Sequence, residues 1–242
     1  MLLFKILILA HIIADFPLQF DPVYRRKIGS EGGQLLHALI CLAVMMVLGY
    51  PLLGDGGYWL FALLLTLAHL LIDSLKVRVF DRLTGPNNLW VFLFDQALHL
   101  VTIATVFFTS LPDAAALEGS LLQKMDRAGV LGICIFLLIA TFAGTFLLSA
   151  FKRTILNFPA EELLHDGFSK YYGIAERGIV YALIVSGGLY LFLVPAVMLA
   201  RIPIANHYAK QFRYYRFLVS PSDVAASFLI TLACAVGALL AA

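Results

Sequence analysis

Apolar residues along this chain gather into seven runs: Leu2 to Phe20, Gln34 to Leu53, Tyr58 to Leu75, Leu89 to Ser110, Gly129 to Phe151, Gly178 to Ala200 and Asp223 to Ala241. A helix of about 20 residues rises about 30 Å, the thickness of a hydrocarbon core, so each run predicts one membrane-crossing helix. The expected fold is all-α: a polytopic transmembrane bundle of about seven spans. A cleaved signal peptide is the competing reading of the first run. It carries only Lys5 as early positive charge, lacks a small-x-small cleavage site and is interrupted by His11 and Asp15, so it is read as a span.

Polar positions inside these runs carry the chemical information. "HIIAD" places His11 and Asp15 in the first run, "HLLID" His69 and Asp73 in the third, "DQALH" Asp95 and His99 in the fourth, and "QLLH" ends at His37 as the second run opens. Spacing of four sets each His and Asp on one helix face, about 6 Å apart along the axis. The first and third runs have Asp after His, whereas the fourth, of opposite direction, has Asp before His. Alternating spans therefore place all three aspartates nearer one membrane face and three histidines one turn deeper, with His37 able to join either layer. His11 and Asp15 followed by "QLLH", and His69 and Asp73 followed by "QALH", read as two related hairpins forming a four-helix core. Chance similarity in apolar sequence is the alternative.

Composition agrees with a membrane protein: 62% hydrophobic residues, a mean hydropathy of +0.92, and 13% charged residues against about 25% in soluble domains. Lys and Arg concentrate in the first, third and fifth loops, which places those loops in the cytoplasm and the N-terminus outside. Arg201, Lys210, Arg213 and Arg216 in the sixth loop break that pattern, so either the sixth run is re-entrant, broken near Ser186 to Gly188, or the rule fails there. A net charge of +2 without a basic stripe gives no reason to expect nucleic acid as a partner. Cys41, Cys134 and Cys234 fall inside predicted spans and are read as small packing residues, with no disulfide and no zinc motif.

A charge at mid-helix costs about 2.5–3.5 kcal/mol on insertion scales, so intramembrane His and Asp need partners. Imidazole together with carboxylate suits a divalent transition metal: zinc first, with manganese or iron as alternatives. His11, Asp15, His37, His69, Asp73, Asp95 and His99 are the candidate ligands. Intramembrane hydrogen bonding, an ion or proton path and haem held by paired histidines are the competing readings. Asp73, Asp95 and Glu176 are candidate catalytic groups, and an interfacial salt bridge is the plainer reading of Glu176 beside Arg177. Lys76 is placed to neutralise Asp73, to bind a head group, or to reach the interface. Gln19 and Gln96 can orient ligands or tie helices together.

"AHIIADFPLQ" (Ala10 to Gln19), "LLH" ending at His37, "AHLLIDSLK" (Ala68 to Lys76) and "FLFDQALHL" (Phe92 to Leu100) resemble the signature segments of a bacterial integral-membrane family, the domain of unknown function 3307. "GIAERGI" and the terminal "YYRFLVSPSDVAASFLITL" match its later half in placement. The resemblance implies the bacterial cytoplasmic membrane and a helical fold, but no activity. A looser likeness is to membrane-bound metal-dependent hydrolases, by analogy alone. The expected organisation is a core over residues 1–110, an acidic loop over 111–127 and a three-span bundle over 128–242. An interfacial helix is expected over Asn157 to Gly167, with His165 exposed, and head-group contacts over His207 to Phe217. The expected function is metal-assisted hydrolysis of a lipid or lipid-linked substrate; a divalent-cation or proton transporter and a structural membrane subunit are the alternatives. Oligomeric state is not legible.

Overall fold

A computed structural model of the chain describes residues 1–85, 88–111, 115–157, 167–208 and 221–241. Every regular element among them is helical: α1 Leu2–Asp15, α2 Asp21–Gly29, α3 Glu31–Leu48, α4 Gly56–Thr84, α5 Leu89–Phe108, α6 Leu121–Arg127, α7 Val130–Ile155, α8 Gly167–Ser186, α9 Val194–Leu199, α10 Arg201–Tyr208 and α11 Pro221–Ala241. Five of these, α3, α4, α5, α7 and α11, are long and apolar enough to cross a membrane. Among the described residues the expected count of seven is not confirmed. The first run yields only the 14 residues of α1, because the helix ends at Asp15 and Pro17 follows. The sixth begins earlier than its apolar stretch, as α8, and carries Glu176 and Arg177 at mid-helix.

Two compact units, Met1–Ile135 and Phe136–Ala242, make up the chain. In the first, α1 packs on α3, α3 on α4, α4 on α5, and α5 back on α1, closing a ring of four helices. Local chemistry sets where three of them start. Ser30 Oγ accepts from Gly33 N at 3.0 Å, Asp55 Oδ1 from Gly57 N at 2.7 Å, and Asn88 Oδ1 from Trp90 N at 2.9 Å, each satisfying a first-turn amide that the helix cannot. Large apolar residues face outward, among them Leu63, Leu64, Leu67 and Leu71 on α4 and Trp90, Phe94 and Val101 on α5. Polar residues face inward, the arrangement a bundle adopts in hydrocarbon. The stretch expected to be an acidic loop includes the helix α6, and its Asp126 accepts from Lys5 Nζ of α1 at 2.6 Å.

The second unit packs α8 and α11 with the middle of α7. There a π-helical turn at Ile139–Ala143 interrupts the regular ladder and frees carbonyls. Arg177 takes them, donating Nε to Ala140 O at 2.8 Å and Nη2 to Thr141 O at 2.9 Å. After Ser186 the chain turns at Gly187 (φ 63°) and Gly188 (φ 57°), backbone that favours glycine. The helix thus ends at "SGG", where the sequence offers a break as one of two alternatives. Residues 158–166 of the interfacial helix expected at Asn157 to Gly167, His165 among them, and most of the basic aromatic segment His207 to Phe217 lie outside the described residues.

Candidate metal centre

Four helices of the first unit each bring one imidazole to a common interior. Ring centres lie 4.3 Å apart for His69 and His99, 4.8 Å for His11 and His99, 5.1 Å for His37 and His69, and 5.7 Å for His11 and His69. Asp15, Asp73 and Asp95 stand among them, all buried. The i, i+4 pairs thus meet as the spacing predicts. His37 joins the aspartate layer, with Nε2 3.1 Å from Asp15 Oδ1 and 3.6 Å from Asp73 Oδ2.

Two groups that the sequence reading left aside also sit here. Cys41, one turn beyond His37 on α3, has Sγ 3.3 Å from His69 Nε2, 3.9 Å from His37 Nε2 and 4.0 Å from Asp15 Oδ1. It belongs to the cluster rather than to plain packing. The signal was present, since His37-x-x-x-Cys41 repeats the spacing of the His–Asp pairs. Lys27, one of the basic residues of the first loop between apolar runs, is buried on α2. Its Nζ lies 2.8 Å from Asp73 Oδ2 and donates to Gln19 Oε1 at 3.0 Å. Burial opposes its charge, but Asp73 and then Asp15 more than offset this and hold its pKa above the ordinary lysine value. α2 approaches this closely because Gly33 has no side chain: a Cβ there would stand 2.0 Å from Arg26 O.

Lys76 pairs with Asp95, not with Asp73, at Nζ–Oδ2 2.8 Å. Gln96 Nε2 donates to the same oxygen at 3.1 Å while its Oε1 lies 3.3 Å from His11 Nε2. Both glutamines therefore orient site residues, and Gln34 Oε1 accepts from Ser74 Oγ at 2.7 Å, tying α3 to α4. Glu176 is not among the groupings that could hold an ion. It lies in the second unit, where Arg201 Nη2 donates to its Oε1 at 2.5 Å and Arg201 Nη1 to Asp223 Oδ2 at 2.8 Å. That is the salt bridge the sequence allowed, formed with Arg201 rather than with its neighbour Arg177.

Along the bundle axis the site is layered. Lys27, Lys76 and Gln19 border the aspartates; below these come Cys41 and the imidazoles of His11, His69 and His99. One turn deeper stand Leu7, Met45, Leu65 and Ile103. Between the imidazoles and these apolar side chains lies a small cavity, bordered also by Thr102.

The donor spacing is compatible with an ion as well as with hydrogen bonding. Nε2 of His69 faces Asp15 Oδ1 at 3.3 Å, Asp73 Oδ2 at 3.2 Å and Cys41 Sγ at 3.3 Å, yet one N–H serves one acceptor well. Tetrahedral metal bonds of about 2.0–2.1 Å to nitrogen or oxygen and about 2.3 Å to sulfur set neighbouring donors about 3.3–3.6 Å apart. Asp95 Oδ1, Asp73 Oδ1, His37 Nδ1 and His99 Nε2 are buried without a hydrogen-bond partner among the described residues, an expensive state in hydrocarbon. Three groupings can hold an ion: Asp15, His37, Cys41 and His69; His11, His69 and His99; and Asp73, Asp95 and His99.

The chain belongs to the family described as a protein of unknown function, DUF3307, whose sequence profile matches residues 3–126. Every residue of the His/Asp/Cys cluster lies within that stretch. No curated protein and no solved structure matches the chain, so the looser likeness to membrane-bound metal-dependent hydrolases has no support from them.

Proposed function

For this membrane-embedded member of the family we propose metal-assisted hydrolysis of a lipid or lipid-linked substrate in the bacterial cytoplasmic membrane, with zinc as the leading ion and manganese or iron as alternatives. The observation that carries the reading is a set of converging ligands beside a small cavity whose far wall is apolar. A bound ion supplies Lewis acidity and a water of lowered pKa. Asp73 and Asp95 serve as ligands in this account. The role of base falls to His11, which borders the cavity; with Nε2 directed at Gln96 Oε1, its Nδ1 is the basic nitrogen. Acyl chains reach such a site from within the bilayer, and the apolar wall favours them.

The layer of Leu7, Met45, Leu65 and Ile103 also favours hydrolysis over transport, since a conducting path needs polar steps to continue through the other half of the membrane. The test uses the full-length chain in detergent against lipid-linked esters, amides and phosphoesters. Turnover of one class is expected, abolished by chelation and restored by zinc, manganese or iron. His11→Gln should retain the ion and lose turnover by about 10²-fold or more. Turnover that survives complete metal removal, or none toward any class, contradicts the proposal.

A further inference from the structure

Of the three groupings, two share no residue: Asp15, His37, Cys41 and His69 in one, Asp73, Asp95 and His99 in the other, while the third, His11, His69 and His99, draws one imidazole from each. Asp73 stands between them. Its Oδ2 is 3.2 Å from His69 Nε2 and 3.6 Å from His37 Nε2, while its Oδ1 is 3.9 Å from His99 Nε2, itself 3.6 Å from Asp95 Oδ1. One carboxylate thus turns an oxygen toward each set.

We infer that the centre holds two divalent transition-metal ions bridged by the Asp73 carboxylate. The inference rests on the metal-site reading above and deepens it with the number and placement of the ions. Two ions about 3.5–4 Å apart are the spacing of two-metal hydrolytic sites, and a carboxylate spans that distance with its two oxygens. The set containing Cys41 supplies four donors, to which the bridging Asp73 oxygen adds a fifth, so this position is closed to water, and its thiolate selects zinc, iron or cobalt over magnesium or calcium. The other set supplies three donors and leaves a position for water.

The surroundings fit the assignment. Lys76 and Gln96 both occupy Asp95 Oδ2, which leaves Oδ1 for the second ion and fixes the carboxylate's rotation. Lys27 occupies the Asp73 oxygen that the first ion takes, and it must yield there. Its flexible stem and the Gln19 carbonyl, already 3.0 Å away, give it a place to remain.

The full-length chain, stripped of metal in detergent, is titrated with cobalt(II) and with zinc(II). Two equivalents per chain are expected, one of them giving a sulfur-to-cobalt charge-transfer absorption. Cys41→Ser should lose that absorption and one equivalent; His37→Gln, in the same set, should lose one equivalent as well and serves where the serine variant folds poorly. Asp95→Asn should keep the absorption and lose the other equivalent, and Asp73→Asn should weaken both. One equivalent in the wild type, or Cys41→Ser and Asp95→Asn removing the same one, overturns the bridged pair while leaving a single-ion site standing. No equivalent at all overturns both.

Discussion

Lys27 illustrates how a single residue can govern this centre. Its ammonium lies 2.8 Å from Asp73 Oδ2, so in the metal-free chain it balances the charge of a buried carboxylate whose other neighbours are imidazoles. The same charge repels an arriving dication. Lys27→Met should therefore act in opposite directions on two measurements: the thermal midpoint of the metal-free protein falls, and affinity for cobalt rises about tenfold or more, the scale of withdrawing a unit charge from beside a buried ion. Affinity that stays level or falls would show that Lys27 does not compete for the Asp73 oxygen. The sequence shows Lys27 only as part of "RRK", a motif that speaks of topology. What it cannot show is that Gly33 admits α2 to within contact of α3. Cys41 was hidden for a different reason, since buried thiols in apolar runs usually only pack.

Among the elements, the second unit is held by a charged network that no periodicity announces. Glu176 of α8, Arg201 of α10 and Asp223 of α11 are all buried and lie 25 and 22 residues apart in sequence. Arg201→Ala leaves two carboxylates without that partner and should cost about 3–5 kcal/mol, read as a lower thermal midpoint, with ion content per folded chain unchanged. Loss of the ion in folded Arg201→Ala would contradict the assignment of Glu176 and Arg201 to structure. Helix periodicity made the four-helix centre legible, because His11 and Asp15, His69 and Asp73, and Asp95 and His99 each repeat at four within apolar sequence, and alternation alone sets their depth. It failed where long-range pairing decides. α8 starts about a dozen residues before its apolar stretch because Arg201 makes a mid-helix Glu176 tolerable. α1 is shorter than its run because Phe16 to Phe20 leave the helix.

At the scale of the whole molecule, five helices among the described residues are suited to a bilayer, and the ligands of the polar centre lie on α1, α3, α4 and α5 of the first unit. The apolar layer of Leu7, Met45, Leu65 and Ile103 beyond the imidazoles offers an ion no polar step, which is why the proposed function is hydrolysis rather than transport. Reconstituted in sealed liposomes, the protein should move no zinc, manganese or protons above the leak of empty vesicles. Flux that depends on His69 and Asp73 would replace hydrolysis with transport. Hydrolysis and metal transport both need a metal ion at the His/Asp/Cys cluster, which makes metal content the decisive quantity. The full-length chain is extracted from membranes in mild detergent without chelators and its transition-metal content determined by elemental analysis, beside His69→Ala prepared identically. The wild type should carry at least one zinc, manganese or iron ion per chain and the variant substantially less; a wild-type content no higher than background would contradict the metal centre.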